Sequence, residues 1–157
     1  MQLSENFTLR EFTRSQTASR QGLDNTPPAD TIPAIRALVE AVLQPARTHF
    51  GKSMNVNSGY RSKAVNQAVG GSKTSQHMWT PVAAAADVEM FGVDNLELAH
   101  WIRDHCEFDQ LICECYVPAE GPNSGWVHVS FRRDHENRNE ALTYQRGQGY
   151  SQGLPAR

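Results

Sequence analysis

Two histidines and one aspartate lie in sequence contexts suited to holding a metal ion. His77 follows Ser75-Gln76, Asp87 precedes Val88-Glu89, and His128 lies within an alternating run that begins at Trp126. Two imidazoles and one carboxylate make up the ligand number of a catalytic zinc ion whose fourth position stays open for water. The sequence therefore favours a metal-dependent hydrolase.

The length of the chain bounds its organisation. At 157 residues it can bury one core but not two comfortable ones. Apolar residues become sparse after Arg132, and the last segment is rich in glycine and polar residues. We expect one domain over residues 1–145 and a loose C-terminal tail over residues 146–157.

Charge and hydropathy exclude two classes of partner. The formal net charge is -2, and Lys and Arg do not cluster, so we expect no nucleic-acid partner. The first six residues have neither a basic flank nor an apolar run, and no stretch is long enough to span a bilayer. We expect no signal peptide, synthesis in the cytoplasm and no stable association with a membrane.

Four helices are predicted from caps and apolar spacing. Thr8 and Glu11 form a capping box for a helix that begins at Leu9, after which a polar connector extends to Pro28. The main core helix carries apolar residues at helical spacing over 32–43 and ends near Gly51. Two more helices are capped by residues at their start, Ser62 and Asp94.

The remaining patterns predict a sheet. Four short segments alternate in the manner of strands: 54–57, 85–91, 109–116 and 125–131. Since the helices come mostly before the strands, we expect an α+β domain with helices packed on a small, mainly antiparallel sheet.

Strand alternation separates the polar residues of the predicted sheet from its core. Trp126, His128 and Ser130 share one face of the last strand, and Val127 lies on the other. If the preceding strand is its neighbour, Glu114 comes near His128. Such an arrangement would place an acid or base beside a metal site.

Each of these residues also has a structural interpretation when taken singly. A lone strand histidine is more often hydrogen-bonded structure than a ligand, and Asp87 could simply face solvent. Glu114 could pair with an arginine. Arg61 could be a surface charge, or it could point into the cleft and hold a carboxylate through its bidentate fork.

The combination of motifs resembles the M15 zinc peptidases over about residues 6 to 145. More narrowly, it is similar to small phage and prophage proteins related to D-Ala-D-Ala carboxypeptidases and endolysins. The motifs are Asn6-Phe7-Thr8-Leu9, Asp24-Asn25-Thr26-Pro27-Pro28, Leu43-Gln44-Pro45-Ala46-Arg47, Ser58-Gly59-Tyr60-Arg61-Ser62, Ser75-Gln76-His77, Ala85-Ala86-Asp87-Val88-Glu89, Phe108-Asp109-Gln110-Leu111-Ile112 and Trp126-Val127-His128-Val129-Ser130-Phe131.

This resemblance implies a hedgehog/D-Ala-D-Ala-peptidase-like fold with Zn²⁺ held by His77, Asp87 and His128. It implies a monomer that cleaves an amide in the peptide stems of peptidoglycan, after release to the cell wall in a phage or prophage lysis context. Arg61 matches the arginine that faces a substrate carboxylate. Three neighbouring residues are expected to help bind substrate: Tyr60, Ser75 and Gln76.

The general base departs from the better-known relatives, which carry an acidic residue either adjacent to the last histidine or three residues before it. Here those positions are Val127 and Gly125. Glu114 falls where this branch has a glutamate and is the predicted base, with Glu89 as the second choice.

A second departure concerns the segment between the first two ligands. Nine residues separate His77 from Asp87, where the family usually has six. We expect three extra residues in the loop from Trp79 to Ala83, which alter the rim of the cleft without moving either ligand.

Two other functions fit parts of the pattern. The first is an inactive protein with the peptidase fold that binds cell-wall peptides or another partner. The second is a glycosidase that uses Glu114 and Asp87 as paired carboxylates, which leaves both histidines without a role.

Overall fold

The structure, a computed structural model, describes residues 1–157 and has the predicted α+β architecture. No helix combines the length and apolar character of a membrane span. The helices are α1 (Leu9–Thr13), α2 (Gln16–Gln21), α3 (Ile32–Leu38), α4 (Gln44–Phe50), α5 (Lys63–Ala68) and α6 (Asn95–His105). The strands are β1 (Met54–Ser58), β2 (Ala83–Met90), β3 (Gln110–Glu114), β4 (Trp126–Arg132), β5 (Glu140–Gln145) and β6 (Gly149–Gln152).

All six strands form one sheet in the order β1-β2-β4-β3-β5-β6. Every neighbouring pair is antiparallel except β3 and β5, which are parallel. Helices α3 and α6 pack against β2 and β4, and their apolar side chains join the strand residues of one sheet face in the core. The opposite face of the sheet is left for polar side chains.

The predicted helix starts are confirmed. Glu11 accepts a hydrogen bond from the backbone N–H of Thr8 at 2.7 Å, as a capping box requires. Ser62 accepts from the N–H of Val65, and Asp94 accepts from the N–H of Leu96. Caps are recognisable in sequence because both partners lie within one turn of the helix.

The predicted core helix is continuous from Ile32 to Phe50 but contains one π turn, Val39–Leu43, between α3 and α4. Pro45 follows directly inside α4 and has no N–H to donate to the carbonyl of Ala41. A wider turn just before a proline is a way to accommodate that missing hydrogen bond.

Part of the predicted polar connector is helical. Ser15 accepts a hydrogen bond from the N–H of Ala18, and Gly22 ends α2 in the left-handed conformation. The helix has only six residues and buries only Ala18, so it has almost no apolar periodicity by which it could be predicted.

The segment expected to be a loose tail, 146–157, is structured. Residues of β6 pair with β5, which itself pairs with β3 in the middle of the sheet. Leu154 packs against the core, and the carbonyl of Pro155 lies 2.7 Å from His100 Nε2. The expectation failed because β6 is fully exposed and is held by backbone pairing, which leaves no hydrophobic pattern.

Candidate metal centre

His77, Asp87 and His128 come together on the polar face of the sheet. Asp87 of β2 and His128 of β4 are direct partners in an antiparallel pair, and His77 comes from the loop after α5. The candidate ligand atoms of the three residues all lie within 4.8 Å of one another. The grouping expected from the sequence is therefore present.

Hydrogen bonds to the outer nitrogens set the tautomer of each imidazole. His77 Nδ1 donates to the carbonyl of Gly59 at 2.8 Å, and His128 Nε2 donates to Gln76 Oε1 at 2.8 Å. The lone pairs are therefore on His77 Nε2 and His128 Nδ1. These atoms lie 3.2 Å and 2.9 Å from the two carboxylate oxygens of Asp87.

This arrangement fits a metal ion. Two imidazole lone pairs that face the oxygens of a carboxylate repel them unless a cation lies between. A divalent metal satisfies all three groups at once, because metals take neutral imidazole and ionised carboxylate as ligands. Histidine and carboxylate ligands with a position left open are typical of catalytic zinc.

The Asp87 carboxylate stays ionised in this environment. Burial alone would raise the pKa of Asp87, but without a metal ion the charges and hydrogen bonds of protonated His77 and His128 outweigh it and hold the pKa far below its usual range; a cation bound between the three groups acts in the same direction. A ligand that is already ionised binds a cation without first losing a proton.

Gly59 holds His77 in place through its backbone. A Cβ atom at this position would collide with the carbonyl of Phe12, so only glycine allows the chain to pass so close. The same glycine carbonyl receives the Nδ1 proton of His77. The sequence motif contained Gly59, but nothing in it indicated that its carbonyl meets a histidine.

A cleft of about 460 Å³ opens over the three residues. Its lining includes Glu114, the predicted base, and Arg61, which is predicted to bind a substrate carboxylate. The residues that line it are Arg61, Ser72, Thr74, Ser75, Gln76, His77, Asp87, Gln110, Ile112, Glu114, Trp126, His128 and Tyr150. A second cavity of about 490 Å³ shares Arg61 with it but contains none of the candidate ligands. The first cleft is therefore the candidate active site.

Glu114 lines this cleft and sits beside the metal group. It lies on β3, opposite Trp126 in the pairing with β4, and the Trp126 indole N–H donates to its carboxylate at 2.7 Å. Burial and then the negative charge of Asp87 raise the pKa of Glu114, against the opposing effects of His128 and Trp126. A raised pKa makes the carboxylate a stronger base than an exposed glutamate.

Glu89, the second choice for the base, is committed elsewhere. Its carboxylate accepts hydrogen bonds from Asn57 at 2.7 Å and from Asn95 at 3.2 Å, and it is not among the residues that line the cleft. The geometry therefore favours Glu114.

Arg61 reaches the cleft with few partners of its own. One terminal nitrogen donates to Ser75 Oγ at 3.2 Å, while the buried Nε has no hydrogen-bond partner. Burial lowers the pKa of the guanidinium, and the charges of Asp87 and Glu114 act in the opposite direction. No carboxylate of the chain forms an ion pair with Arg61, so its donors remain for a ligand.

Ser75 and Gln76 are both in the cleft, and both also support other side chains. Ser75 Oγ accepts from Arg61 and from the backbone N–H of His77, each at 3.2 Å. Gln76 orients the ring of His128, as its hydrogen bond shows. The sequence did not predict that Gln76 orients His128, because the two residues are far apart in the chain.

Tyr60 does not line the cleft, contrary to expectation. Its side chain is only 8% exposed, and its ring packs 5.2 Å from the ring of Trp79. Proximity to Arg61 in sequence suggested a role in binding, but consecutive residues of an extended segment point in opposite directions.

The extended loop between the first two candidate ligands lies outside the lining of the cleft. Trp79 is buried and donates from its indole to the carbonyl of Ala85, while Thr80 Oγ1 accepts from the N–H groups of Val82 and Ala83. None of residues 78–86 lines the cleft. The loop from Trp79 to Ala83 therefore forms a turn that contributes no residue to the lining of the cleft.

The absence of an acidic side chain at position 125 has a steric cause. Gly125 has a φ of 66°, and a Cβ there would collide with the backbone of Glu114 and Cys115. Val127, the other position used by relatives, is fully buried on the core face of β4. Neither position can present a carboxylate to this cleft.

Comparison with known protein families agrees with this geometry. A family model described as Peptidase M15 matches residues 5–130, which is most of the chain. The chain therefore belongs to the Peptidase M15 family, whose members are metallopeptidases. No curated protein matches it. The matched region contains the three candidate ligands, Arg61 and Glu114, and it ends before β5 and β6.

Proposed function

We propose that this protein is a zinc-dependent peptidase that hydrolyses an amide bond in the peptide stems of peptidoglycan. The reaction would be that of a D-Ala-D-Ala carboxypeptidase or of an endolysin-type endopeptidase. It would act on the cell wall after release from the cytoplasm, in a phage or prophage lysis context. Membership of a metallopeptidase family supports the reaction class. The resemblance of the sequence motifs to endolysin-related proteins supports the substrate class.

The observation that carries the proposal is the convergence of two imidazole lone pairs on the Asp87 carboxylate inside a cleft. When bound by His77, Asp87 and His128, zinc polarises the scissile carbonyl and lowers the pKa of a water molecule to about 7. The chain's own residues then position the substrate and move the proton.

Glu114 is the residue placed to move that proton. Its carboxylate takes a proton from the attacking water and returns it to the leaving amine, and the Trp126 N–H keeps the carboxylate oriented toward the cleft. Arg61 supplies the positive charge that holds a substrate carboxylate, because its guanidinium has donors left over after the contact with Ser75.

The rival functions have less support. An inactive binding protein was suggested by the extended loop and by the absence of a base near His128, but the loop lies off the cleft and Glu114 lines it. A glycosidase would need Asp87 as a reacting carboxylate, whereas both oxygens of Asp87 face imidazole nitrogens.

Digestion of purified peptidoglycan sacculi tests the proposal. The protein should release free amino groups and no reducing sugar, lose this activity after chelation and regain it with zinc. An Asp87→Ala variant that remains folded should be inactive. Release of reducing sugar would show a glycosidase, and binding without release of either product would show an inactive relative. Mass spectrometry of the products from one defined muropeptide identifies the amide.

A further inference from the structure

Tyr150 lines the candidate active-site cleft from outside the region that matches the family. It lies on β6, whose residues 149–152 follow the matched segment 5–130, yet it shares the cleft with His128 and Glu114. Its side chain is 62% exposed, and it is one of five large exposed apolar residues in the chain. It alone among those five contributes to this cleft.

Strand pairing places Tyr150 on the same face as the site. Trp126 pairs with Glu114, Glu114 pairs with Tyr144, and Tyr144 pairs with Tyr150, so one row of paired residues crosses four strands. Paired residues of neighbouring strands point to the same face of the sheet. The charge of Glu114 contributes, after burial, to raising the pKa of Tyr150, which is consistent with this shared surface.

The Tyr150 ring has a fixed support. Its centroid lies 4.8 Å from that of Tyr144, at an interplanar angle of 48°. β5, which carries Tyr144, is attached to the centre of the sheet, and Gln145 donates to the carbonyl of Tyr116 at 2.6 Å. An exposed ring held this way loses little conformational entropy when a ligand packs against it.

We propose that Tyr150 is a specificity-determining residue that packs against the substrate about four positions from the scissile amide. This inference rests on the proposed function. Adjacent strands are about 4.8 Å apart, so β6 is about 14 Å from β4, which carries His128, and this distance is the length of about four extended residues. Arg61 lines the same cleft and follows β1 in the chain, and β1 is the strand at the opposite edge of the sheet. A stem peptide whose C-terminal carboxylate is held by Arg61 directs its N-terminal residues toward Tyr150.

Two peptides with the same scissile amide provide the test, one a full stem and one trimmed to a single residue on the N-terminal side. Tyr150→Ala should lower kcat/KM for the full stem by about ten-fold, mainly through KM, and leave the trimmed peptide unchanged. Tyr150→Phe should behave as wild type, because the ring face makes the contact. Phe91→Ala, which removes an exposed ring outside the cleft, is the matched control.

The results separate this inference from the proposed function. An equal loss of kcat/KM on both peptides in Tyr150→Ala would indicate a structural role for Tyr150. An unchanged kcat/KM on the full stem would exclude the contact. Either result overturns the inference, while the proposed hydrolysis is unaffected. If the wild type hydrolyses neither peptide, the proposed function fails. Calorimetric titration with the full stem then decides whether Tyr150 contacts the peptide. Binding that weakens in Tyr150→Ala supports the inference, whereas equal binding or none overturns it.

Discussion

At the scale of single residues, the site depends on which nitrogen of each histidine carries a proton. The carbonyl of Gly59 accepts a hydrogen bond from His77 Nδ1, and the side chain of Gln76 accepts one from His128 Nε2. The lone pairs of His77 Nε2 and His128 Nδ1 therefore face Asp87. The sequence predicted that His77, Asp87 and His128 would come together because their types and contexts are visible in it. It could not predict their orienting partners, because those contacts depend on the folded backbone.

Replacing Glu114 tests the assignment of the base. Glu114→Gln keeps the shape and can still accept the hydrogen bond from Trp126, but it cannot take a proton. We expect kcat to fall by about 10²-fold or more with fold and zinc content unchanged. Glu89→Gln is the matched control and should retain turnover. Near-normal turnover in Glu114→Gln together with an inactive, zinc-loaded Glu89→Gln would assign the base to Glu89.

The pH dependence of kcat/KM should show the raised pKa of Glu114. The base works only when ionised, so activity falls as the pH drops through its pKa. Burial and the charge of Asp87 raise that pKa above the ordinary value of 4.5, so the acidic limb should lie above pH 4.5. The residual activity of Glu114→Gln should lack this limb. An identical limb in that variant would mean that another group titrates.

Arg61 offers a test of substrate positioning. Arg61→Lys keeps the charge and loses the bidentate fork, so kcat/KM on stem peptides should fall by about ten-fold or more. Zinc content and melting temperature should stay as in the wild type. An unchanged kcat/KM would indicate that Arg61 is an ordinary surface charge.

At the scale of elements, the sequence is informative where structure is local or amphipathic. The caps at Thr8, Ser62 and Asp94 were predictable from residues within one turn. β5 was missed because its pairing is set by the parallel contact with β3, about 30 residues earlier in the chain, and β6 was missed because it is fully exposed and shows no apolar alternation. Tyr150 was missed with them.

Truncation tests the structural role of this C-terminal hairpin. Removing residues 146–157 eliminates the β5–β6 ladder, the packing of Leu154 and the contact of Pro155 with His100. We expect the melting temperature to fall by about 5 °C or more. Removing only Ala156 and Arg157 is the control and should have little effect, because the ion pairs of Arg157 are exposed. An unchanged melting temperature in the longer truncation would indicate that residues 146–157 form a loose tail, as the sequence predicted.

At the scale of the whole molecule, the sheet divides the chain into a stabilising side and a functional side. Helices α3 and α6 cover one face with apolar residues, and the cleft occupies the other. The candidate metal ligands, the proposed base and the proposed specificity residue lie side by side across that face, in the spatial order of the strands from β2 to β6. If Tyr150 contacts substrate as proposed, substitutions at the β6 edge can change substrate binding without disturbing the core.

A crystal structure grown with zinc, with anomalous data collected at the zinc edge, tests the central claim most directly. We predict one zinc ion with His77 Nε2, an oxygen of Asp87 and His128 Nδ1 at about 2.0–2.2 Å. A zinc-soaked crystal with no anomalous peak at these three residues, or with zinc held by a different set of side chains, would contradict the account.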